Sequence, residues 1–374
     1  MKQVIQMQES GKIAPRQFMI FIILFMIGSS ILLLAKFIAA EAKQDAWITA
    51  IILAGLGLLL AWLYKALGNL FPDMTLVEYS QKILGKWIGK TLSLLFFTYT
   101  FFLCAITLRQ ISNFFTSTMM PETPIESIHI LLLGIVIMGV QYGLENMART
   151  SEIFFPWVCI LFLTIVIFVS PQMEFEKIQP IFAKGVNPIL HAAFMQLGFP
   201  YLEIVLFLMI FPYVNRVKEA GRAFLAGSII GGISLFSITL LTILVLGAEA
   251  AANEHFPSYI LAQKIDVGRF FQRIEAIMAG LWIITAFFKL QICYYVSALI
   301  LAQTLEIYDY RSLTLPFAMI LMVLSIVIAP DMSYLINFIA NIWTPYSLAF
   351  GLCMPLFLFI IAKVKLKFLE RSKN

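Results

Sequence analysis

Residues 17–39 read QFMIFIILFMIGSSILLLAKFIA, and Lys36 is the one charged residue in this run. A helix needs roughly 20 apolar residues to cross the hydrocarbon core of a bilayer. Basic residues precede the run and Ala40-Glu41-Ala42 follows it, which is the layout of a signal peptide. The apolar core of a cleaved signal is only about 7–15 residues long, however. We therefore expect a retained first transmembrane span.

The composition extends this conclusion to the whole chain. Of 374 residues, 61% are hydrophobic and 13% are charged, whereas soluble domains are roughly half apolar and a quarter charged. This favours one all-α, polytopic membrane domain over residues 1–374. The four cysteines lie in apolar runs without a CxxC motif, so we predict no disulfide, metal or other cofactor.

Ten apolar runs have the length of a membrane span. They cover residues 17–39, 46–67, 90–117, 126–144, 153–170, 194–213, 220–247, 270–302, 313–329 and 335–362. Two of their connections, 171–193 and 250–268, are longer than hairpins and mix apolar with polar residues. We predict short helices there, over the exterior mouth. They act as a lid, or they only pack as loops; the sequence leaves both open.

Basic residues predict the orientation. Arg109 and Lys289 lie inside spans; of the other Lys and Arg residues, seventeen fall on the side of the N-terminus and seven on the opposite side. Lys and Arg are enriched in cytoplasmic connections. Both termini are therefore expected in the cytoplasm. The net charge of +5 reflects this topology, so we predict lipid and no nucleic acid as a partner.

An even division gives two five-span halves, approximately 17–170 and 194–362, which would be inverted relative to each other. Transporters built in this way place their site where one helix of each half is broken. The first span of the first half contains Gly28-Ser29-Ser30, and that of the second contains Gly198-Phe199-Pro200-Tyr201. Proline and glycine weaken a helix. We expect breaks at both places, with backbone amides free to hold a solute; the alternative is close helix packing.

Ionisable residues inside spans are expected to be paired and are candidates for function. Glu203 follows the second predicted break and either binds a ligand amine, relays a proton or forms a structural pair. Lys289 shares a helix face with Thr285 and either replaces a coupling cation or pairs with Glu203. Tyr99 could add a hydroxyl to the pocket. Arg109 is assigned to an outer vestibule or structural ion pair in preference to the ligand site.

Several landmarks, in order along the chain, resemble the spore germination permease family, the B subunits of germinant receptors. They are Gly28-Ser29-Ser30, residues 44–49 (QDAWIT), residues 84–89 (LGKWIG), Thr123-Pro124-Ile125, Glu203, residues 272–275 (QRIE) and Trp282-Ile283-Ile284. This family belongs to the amino acid/polyamine/organocation superfamily, whose transporters usually have two glycines around the first break. In this sequence serines follow Gly28 instead.

This resemblance implies the fold of the amino acid/polyamine/organocation superfamily, a five-plus-five inverted repeat with broken helices one and six. It also implies an amino acid, sugar or nucleoside germinant bound at the breaks. A-type and C-type receptor subunits in the spore inner membrane are the implied partners.

The first functional hypothesis is a germinant sensor, with a small nutrient solute, most simply an amino acid, at mid-membrane. Its candidate ligand-binding residues are Gly28, Ser29, Ser30, Tyr99, Gly198, Phe199, Pro200, Tyr201, Glu203, Thr285 and Lys289. The alternative is an amino acid transporter coupled to protons or cations, and a channel subunit is a third possibility. No enzyme motif such as a P-loop, HExxH or GxSxG occurs in the sequence, so we predict no catalysis.

Overall fold

The computed structural model describes residues 11–264 and 275–371, and this part of the chain is helical, without a β-strand. Its α-helices are α1 (Pro15–Ala42), α2 (Ala46–Leu70), α3 (Leu76–Leu84), α4 (Lys86–Phe114), α5 (Ile125–Gln141), α6 (Leu144–Val169), α7 (Asn187–Met195), α8 (Val217–Leu246), α9 (Ala248–Asn253), α10 (Pro257–Gln263), α11 (Glu275–Leu305), α12 (Thr314–Ile328), α13 (Met332–Phe338), α14 (Thr344–Leu348) and α15 (Met354–Arg371).

Seven stretches of the described residues are long and apolar enough to cross a membrane, and the first, Pro15–Leu70, contains both α1 and α2. The shorter apolar helix α5 and the irregular segment 187–213 complete ten segments of membrane length within the described ranges. Their positions match the ten predicted spans. The predicted start of span eight, together with Arg269, Arg273 and residues 272–274, lies outside the described residues.

The helix α1 is the centre of the bundle. It is apolar all round and almost completely buried, from Phe18 to Ala42, against α8, α11 and α2. A helix without a polar face must be covered on every side. By contrast, α6 exposes a row of large apolar side chains, among them Ile153, Trp157 and Ile160. Such a surface is stable next to lipid and unstable next to water.

The predicted break in span one is not observed, and this expectation is corrected. The helix α1 continues through Gly28-Ser29-Ser30. Gly28 provides a close approach instead: a Cβ atom there would lie 3.0 Å from Cβ of Lys289 and 3.1 Å from the carbonyl oxygen of Thr285. Because small residues let helices pack closely, the helix can remain regular where α11 crosses it.

Span six is irregular, as predicted. The helix α7 ends at Met195, residues 196–202 form turns, and 3-10 helices follow at Glu203–Met209 and Phe211–Tyr213. The Thr344 hydroxyl donates a hydrogen bond to the carbonyl oxygen of Met195, which the break leaves without a helical partner. A neighbouring span thus satisfies backbone that the turn releases, as a membrane interior requires.

Both long connections contain the predicted short helices on one side of the bundle. The helix α10 is held to α1, since the Ser258 hydroxyl donates to the carbonyl oxygen of Ile31 at 2.7 Å. At the opposite side, the amide of Ile13 donates to the carbonyl oxygen of Tyr213 at 2.9 Å, and Ile13 accepts from the amide of Asn215 at the same distance. These contacts join the chain's first described residues to the end of span six.

Candidate functional site

The centre of the candidate site is an ion pair between spans six and eight. Nζ of Lys289 in α11 lies 2.5 Å from Oε2 of Glu203 in the Glu203–Met209 helix, and neither side chain has any exposed surface. Charges inside a membrane are stable only when they are paired or hydrated. The sequence left several roles open for Glu203 and Lys289. The structure shows the pair.

Spans one and ten complete the hydrogen bonding of this pair. The Lys289 ammonium donates to the hydroxyl of Ser29 in α1. The indole N–H of Trp343 donates to the second carboxylate oxygen of Glu203 at 2.9 Å. One ion pair thus joins four spans that are far apart in the sequence.

Two aromatic rings surround the ammonium. Nζ of Lys289 lies 5.1 Å from the ring centroid of Phe25 and 5.0 Å from that of Phe199. An ammonium at this distance from an aromatic face is attracted by the negative charge of the ring face. Phe199 belongs to the predicted break, so the turn in span six contributes a ring as well as Glu203.

Thr285 is at the site through its backbone. Its carbonyl oxygen faces Gly28, whereas its hydroxyl donates within α11, to the carbonyl oxygens of Leu281 and Trp282 at 3.0 Å each. The hydroxyl is thus occupied inside its own helix. Thr285 forms part of the wall where α1 and α11 touch.

The remaining residues of the predicted break have different positions. Gly198 touches span ten, since a Cβ atom there would lie 2.3 Å from Oγ1 of Thr344. Pro200 lies in the turn that separates α7 from Glu203. The Tyr201 ring points to α2 and α8, where it fills the space beside Gly57 and Gly232. The structure does not bring the Tyr201 side chain to the ion pair.

Ser30 and Tyr99 border the site. The hydroxyl of Ser30 is fully buried and has no hydrogen-bond partner among the described residues, and the same is true of the indole nitrogen of Trp282. The ring of Tyr99 stacks on Trp343 with 5.5 Å between centroids and 14° between planes. Unpaired buried polar groups are costly and call for an explanation such as a ligand or water.

Arg109 lies apart from this network. Its guanidinium donates to the carbonyl oxygen of Pro330 at 2.6 Å, at the turn between α12 and α13. Among the described residues Arg109 forms no ion pair, so the structural ion pair is not observed, and the outer vestibule stays a prediction.

Sequence reasoning missed Trp343 and Phe25. Trp343 lies in the tenth apolar run, where Asn341 and the Thr344-Pro345 step are signals of irregular backbone that could have drawn attention to it. Phe25 has no such signal, because it is one of many apolar residues in α1. Only the three-dimensional crossing of α1 and α11 shows that its ring faces the ammonium.

The arrangement is suited to bind a polar solute that replaces one charged member of the ion pair. The two charges cancel each other, and a solute with an amine or carboxylate can compete for one member of the pair. Within residues 11–264 and 275–371, no group of three or more His, Cys, Asp or Glu side chains could hold a metal ion. The free backbone amides that we expected at Gly28–Ser30 are absent, because these residues are helical.

Comparison with known proteins places this chain in a family. Residues 12–333 match the family model described as spore germination protein. Spore germination protein KB of Bacillus subtilis (strain 168) is 30% identical over 370 residues, which are 98% of both chains. Spore germination protein YndE of the same organism is 27% identical and covers 79% of this chain and 82% of its own.

The fold resembles that of solved cation-coupled transporters. A closed, bromovinylhydantoin-bound structure of Mhp1, a nucleobase-cation-symport-1 family transporter, has a TM-score of 0.61 at 12% identity and covers 91% of this chain and 78% of its own. An outward-open Na+-coupled sialic acid symporter has a TM-score of 0.63 at 11% identity, with coverage of 95% and 80%. These likenesses show a LeuT-like transporter fold. By its sequence, the chain belongs to the spore germination protein family, the spore permeases.

Proposed function

We propose that this chain is the membrane subunit of a spore germinant receptor and that it binds a small nutrient solute beside the Lys289–Glu203 pair. The observation that carries this proposal is a fully buried ion pair that also engages Ser29 and Trp343, and so joins spans one, six, eight and ten. The family, the LeuT-like fold and the break in span six support the same location.

An amino acid is the solute class that suits this chemistry best. Its amine can replace the Lys289 ammonium at Glu203, and its carboxylate can take the freed lysine. Gly28, Ser30, Tyr99, Gly198, Phe199 and Pro200 would border the solute, with Thr285 in the wall. A solute changes the balance of two conformations only if it binds them with different affinity. Separation of the ion pair provides such a difference.

The test uses purified protein and spores that carry the same variants. Glu203→Gln removes one charge of the pair, so thermal stabilisation by a panel of amino acids, sugars and nucleosides should be lost and the germination response should fall at least tenfold. Gly198→Ala should weaken both by pushing Thr344 away. Glu219→Gln is the matched control, because Glu219 lies in α8 and forms an exposed ion pair with Arg216.

Loss of response in Glu203→Gln with normal membrane insertion supports the assignment. The double variant Lys289→Met/Glu203→Gln separates an uncompensated buried charge from lost recognition, since it restores neutrality without restoring the site. Wild-type binding and response in Glu203→Gln, Gly198→Ala and the double variant would contradict the proposed site.

A secondary transporter is the second candidate, favoured by the likeness to two cation-coupled symporters. In that case Lys289 occupies the place of a coupling cation, or Glu203 carries a proton. Uptake of labelled amino acid into proteoliposomes that contain this chain alone would support transport. Binding without uptake would support the sensor.

The cellular setting of the sensor is also part of the proposal. We infer that the chain lies in the spore inner membrane with both termini in the cytoplasm and with A-type and C-type receptor subunits as partners. The two five-span halves, approximately 17–170 and 194–362, would form the inverted repeat. The excess of basic residues on one side and the family membership support these inferences.

A further inference from the structure

Span ten is irregular, which the sequence analysis did not predict. Two π-helical turns, Ile339–Trp343 and Ala349–Cys353, lie on either side of the short helix α14. A π-helical turn holds one more residue per hydrogen-bonded ring than an α-helical turn, and such turns are frequent at functional sites. The first of them ends at Trp343, whose indole reaches the buried ion pair.

The Trp343 ring is fixed in direction. It is almost parallel to the ring of Tyr99, at 14° and 5.5 Å between centroids, and Tyr99 in turn stacks on Phe350 at 16° and 5.0 Å. Trp343 is 1% exposed. A ring held by stacking on one side can aim its N–H in a single direction, and that direction is Oε1 of Glu203, 2.9 Å away.

The two oxygens of Glu203 are therefore divided between two spans. Oε2 faces the ammonium of Lys289 in α11, and Oε1 accepts from Trp343 in span ten. Hydrogen bonds to the ionised form of a carboxyl favour that form. Both donors are needed for a carboxylate without exposed surface, because one alone would leave a buried lone pair unsatisfied.

We propose that Trp343 is a positioning residue for Glu203, which keeps the carboxylate ionised and directed at Lys289. This inference rests on the function proposed above and adds span ten to it. The second π-helical turn is tied to span two, since the Tyr64 hydroxyl donates to the carbonyl oxygen of Gly351 at 2.5 Å.

The test measures the carboxyl group itself and needs no solute. Dicyclohexylcarbodiimide reacts with protonated carboxyl groups in apolar surroundings, and mass spectrometry of the peptide identifies the labelled residue. Trp343→Phe keeps a stacking ring and removes the N–H. Glu203 in this variant should label about tenfold faster than in the wild type at neutral pH, the ratio that one hydrogen bond to a charged group is worth.

The pH profile distinguishes positioning from packing. The midpoint of labelling should move to higher pH by about one unit in Trp343→Phe. Phe350→Leu removes a ring that stacks on Tyr99 but leaves the Trp343–Tyr99 pair and the donor in place, so it should lower the unfolding temperature with little change of the profile. Trp62→Phe, on the exposed face of α2, is the control for a tryptophan outside the site.

Lys289→Met sets the upper limit of the labelling rate, since Glu203 then loses its counter-charge and should label fastest. Slow labelling in Trp343→Phe beside fast labelling in Lys289→Met would overturn the proposal, and so would an equal shift in Phe350→Leu. Because no solute is added, such a failure would leave the binding test of the proposed function unaffected. Labelling only in Trp343→Phe and Lys289→Met would establish the indole as a positioning group.

Discussion

Lys289 and Glu203 show how a membrane protein retains two charges in its interior. Each would be costly alone, but together they form a neutral unit whose hydrogen bonds are completed by Ser29 and Trp343. The Phe25 and Phe199 rings add attraction for the ammonium without further charge. The unit is therefore neutral as a whole, and both oxygens of its carboxylate have a donor.

This unit predicts strong coupling between the two charged residues. Lys289→Met leaves the Glu203 carboxylate buried and unpaired, which should lower the free energy of unfolding by about 3–5 kcal/mol. Lys289→Met/Glu203→Gln should recover most of that loss, because neither charge remains. Thermal unfolding in detergent of the wild type, both single variants and the double variant gives the coupling energy. Losses that simply add would show that the two side chains do not form one unit.

At the scale of single residues, the sequence predicted the charged members of the site and not its geometry. Glu203 and Lys289 could be found because a charge inside an apolar run is rare and must have a partner. For Gly28 the sequence left a helix break and close packing open, and the structure shows close packing: Gly28 permits the contact of α1 with α11 and does not break α1. Periodicity cannot tell these two roles apart, since both require only a small residue at mid-span.

At the scale of helices, α1 connects the site with the outer cap, by which we mean α9 and α10. The Lys36 ammonium donates to three carbonyl oxygens at the end of α9, those of Ala252 at 3.0 Å, Asn253 at 3.3 Å and Glu254 at 2.8 Å. Since α1 also carries Ser29, the same helix contacts both the outer cap and the ion pair.

Lys36→Met tests this connection. The methionine keeps an apolar chain of similar length and removes the three hydrogen bonds, so hydrogen exchange of residues 248–263 should become faster. Exchange in α8 and α12 should remain as in the wild type. Lys184→Met, an exposed lysine of the other long connection, is the control. Unchanged exchange in the outer cap would mean that packing and the Ser258 bond hold it without Lys36.

The opposite end of the bundle has an ion pair that is open to solvent. Lys86 and Lys90 of α4 both lie 3.0 Å from the Glu306 carboxylate, just after α11. Hydrogen bonds from Lys90 and Lys86 lower the pKa of Glu306 to about 2. The ordinary value is about 4.3. Because the folded pKa is depressed, this contribution to stability is present above pH 4.3 and is lost as the pH falls towards 2.

Glu306→Gln should therefore lower the unfolding temperature slightly at neutral pH, and less in high salt, which screens exposed charges. Below about pH 4 the gap between the wild type and the variant should close. Differential scanning fluorimetry in detergent from pH 3 to 7 measures it. A gap that is independent of both pH and salt would show that Glu306 acts through packing and not through charge.

At the scale of the whole molecule, the ten spans could be predicted because lipid imposes a simple rule of length and polarity. The bounds of α5 and α12 lie within a few residues of the predicted ones. Of the two irregular spans, only span six was predicted from the sequence. Proline and glycine indicated the turns of span six, whereas in span ten Asn341 and the Thr344-Pro345 step mark irregular backbone without specifying π-helical turns.

The orientation of the bundle in the membrane decides from which side a solute would reach the proposed site. Ile13 is bonded to the end of span six, on the side where basic residues are in excess, and Lys184 lies in a connection on the opposite side. Lys12 and Lys184 are exposed, so single cysteines at these positions are accessible probes. All four native cysteines lie within spans.

In intact cells that express the protein, a membrane-impermeant maleimide should label Lys184→Cys at once and Lys12→Cys only after permeabilisation. The positive-inside rule is the physical reason, since a bias of seventeen basic residues against seven strongly favours one insertion direction. The wild type serves as the control for native thiols. The reverse pattern would place the outer cap in the cytoplasm. Lys36 and α9 would then lie on the cytoplasmic side, and a sensor of external nutrients would need an entrance on the other side.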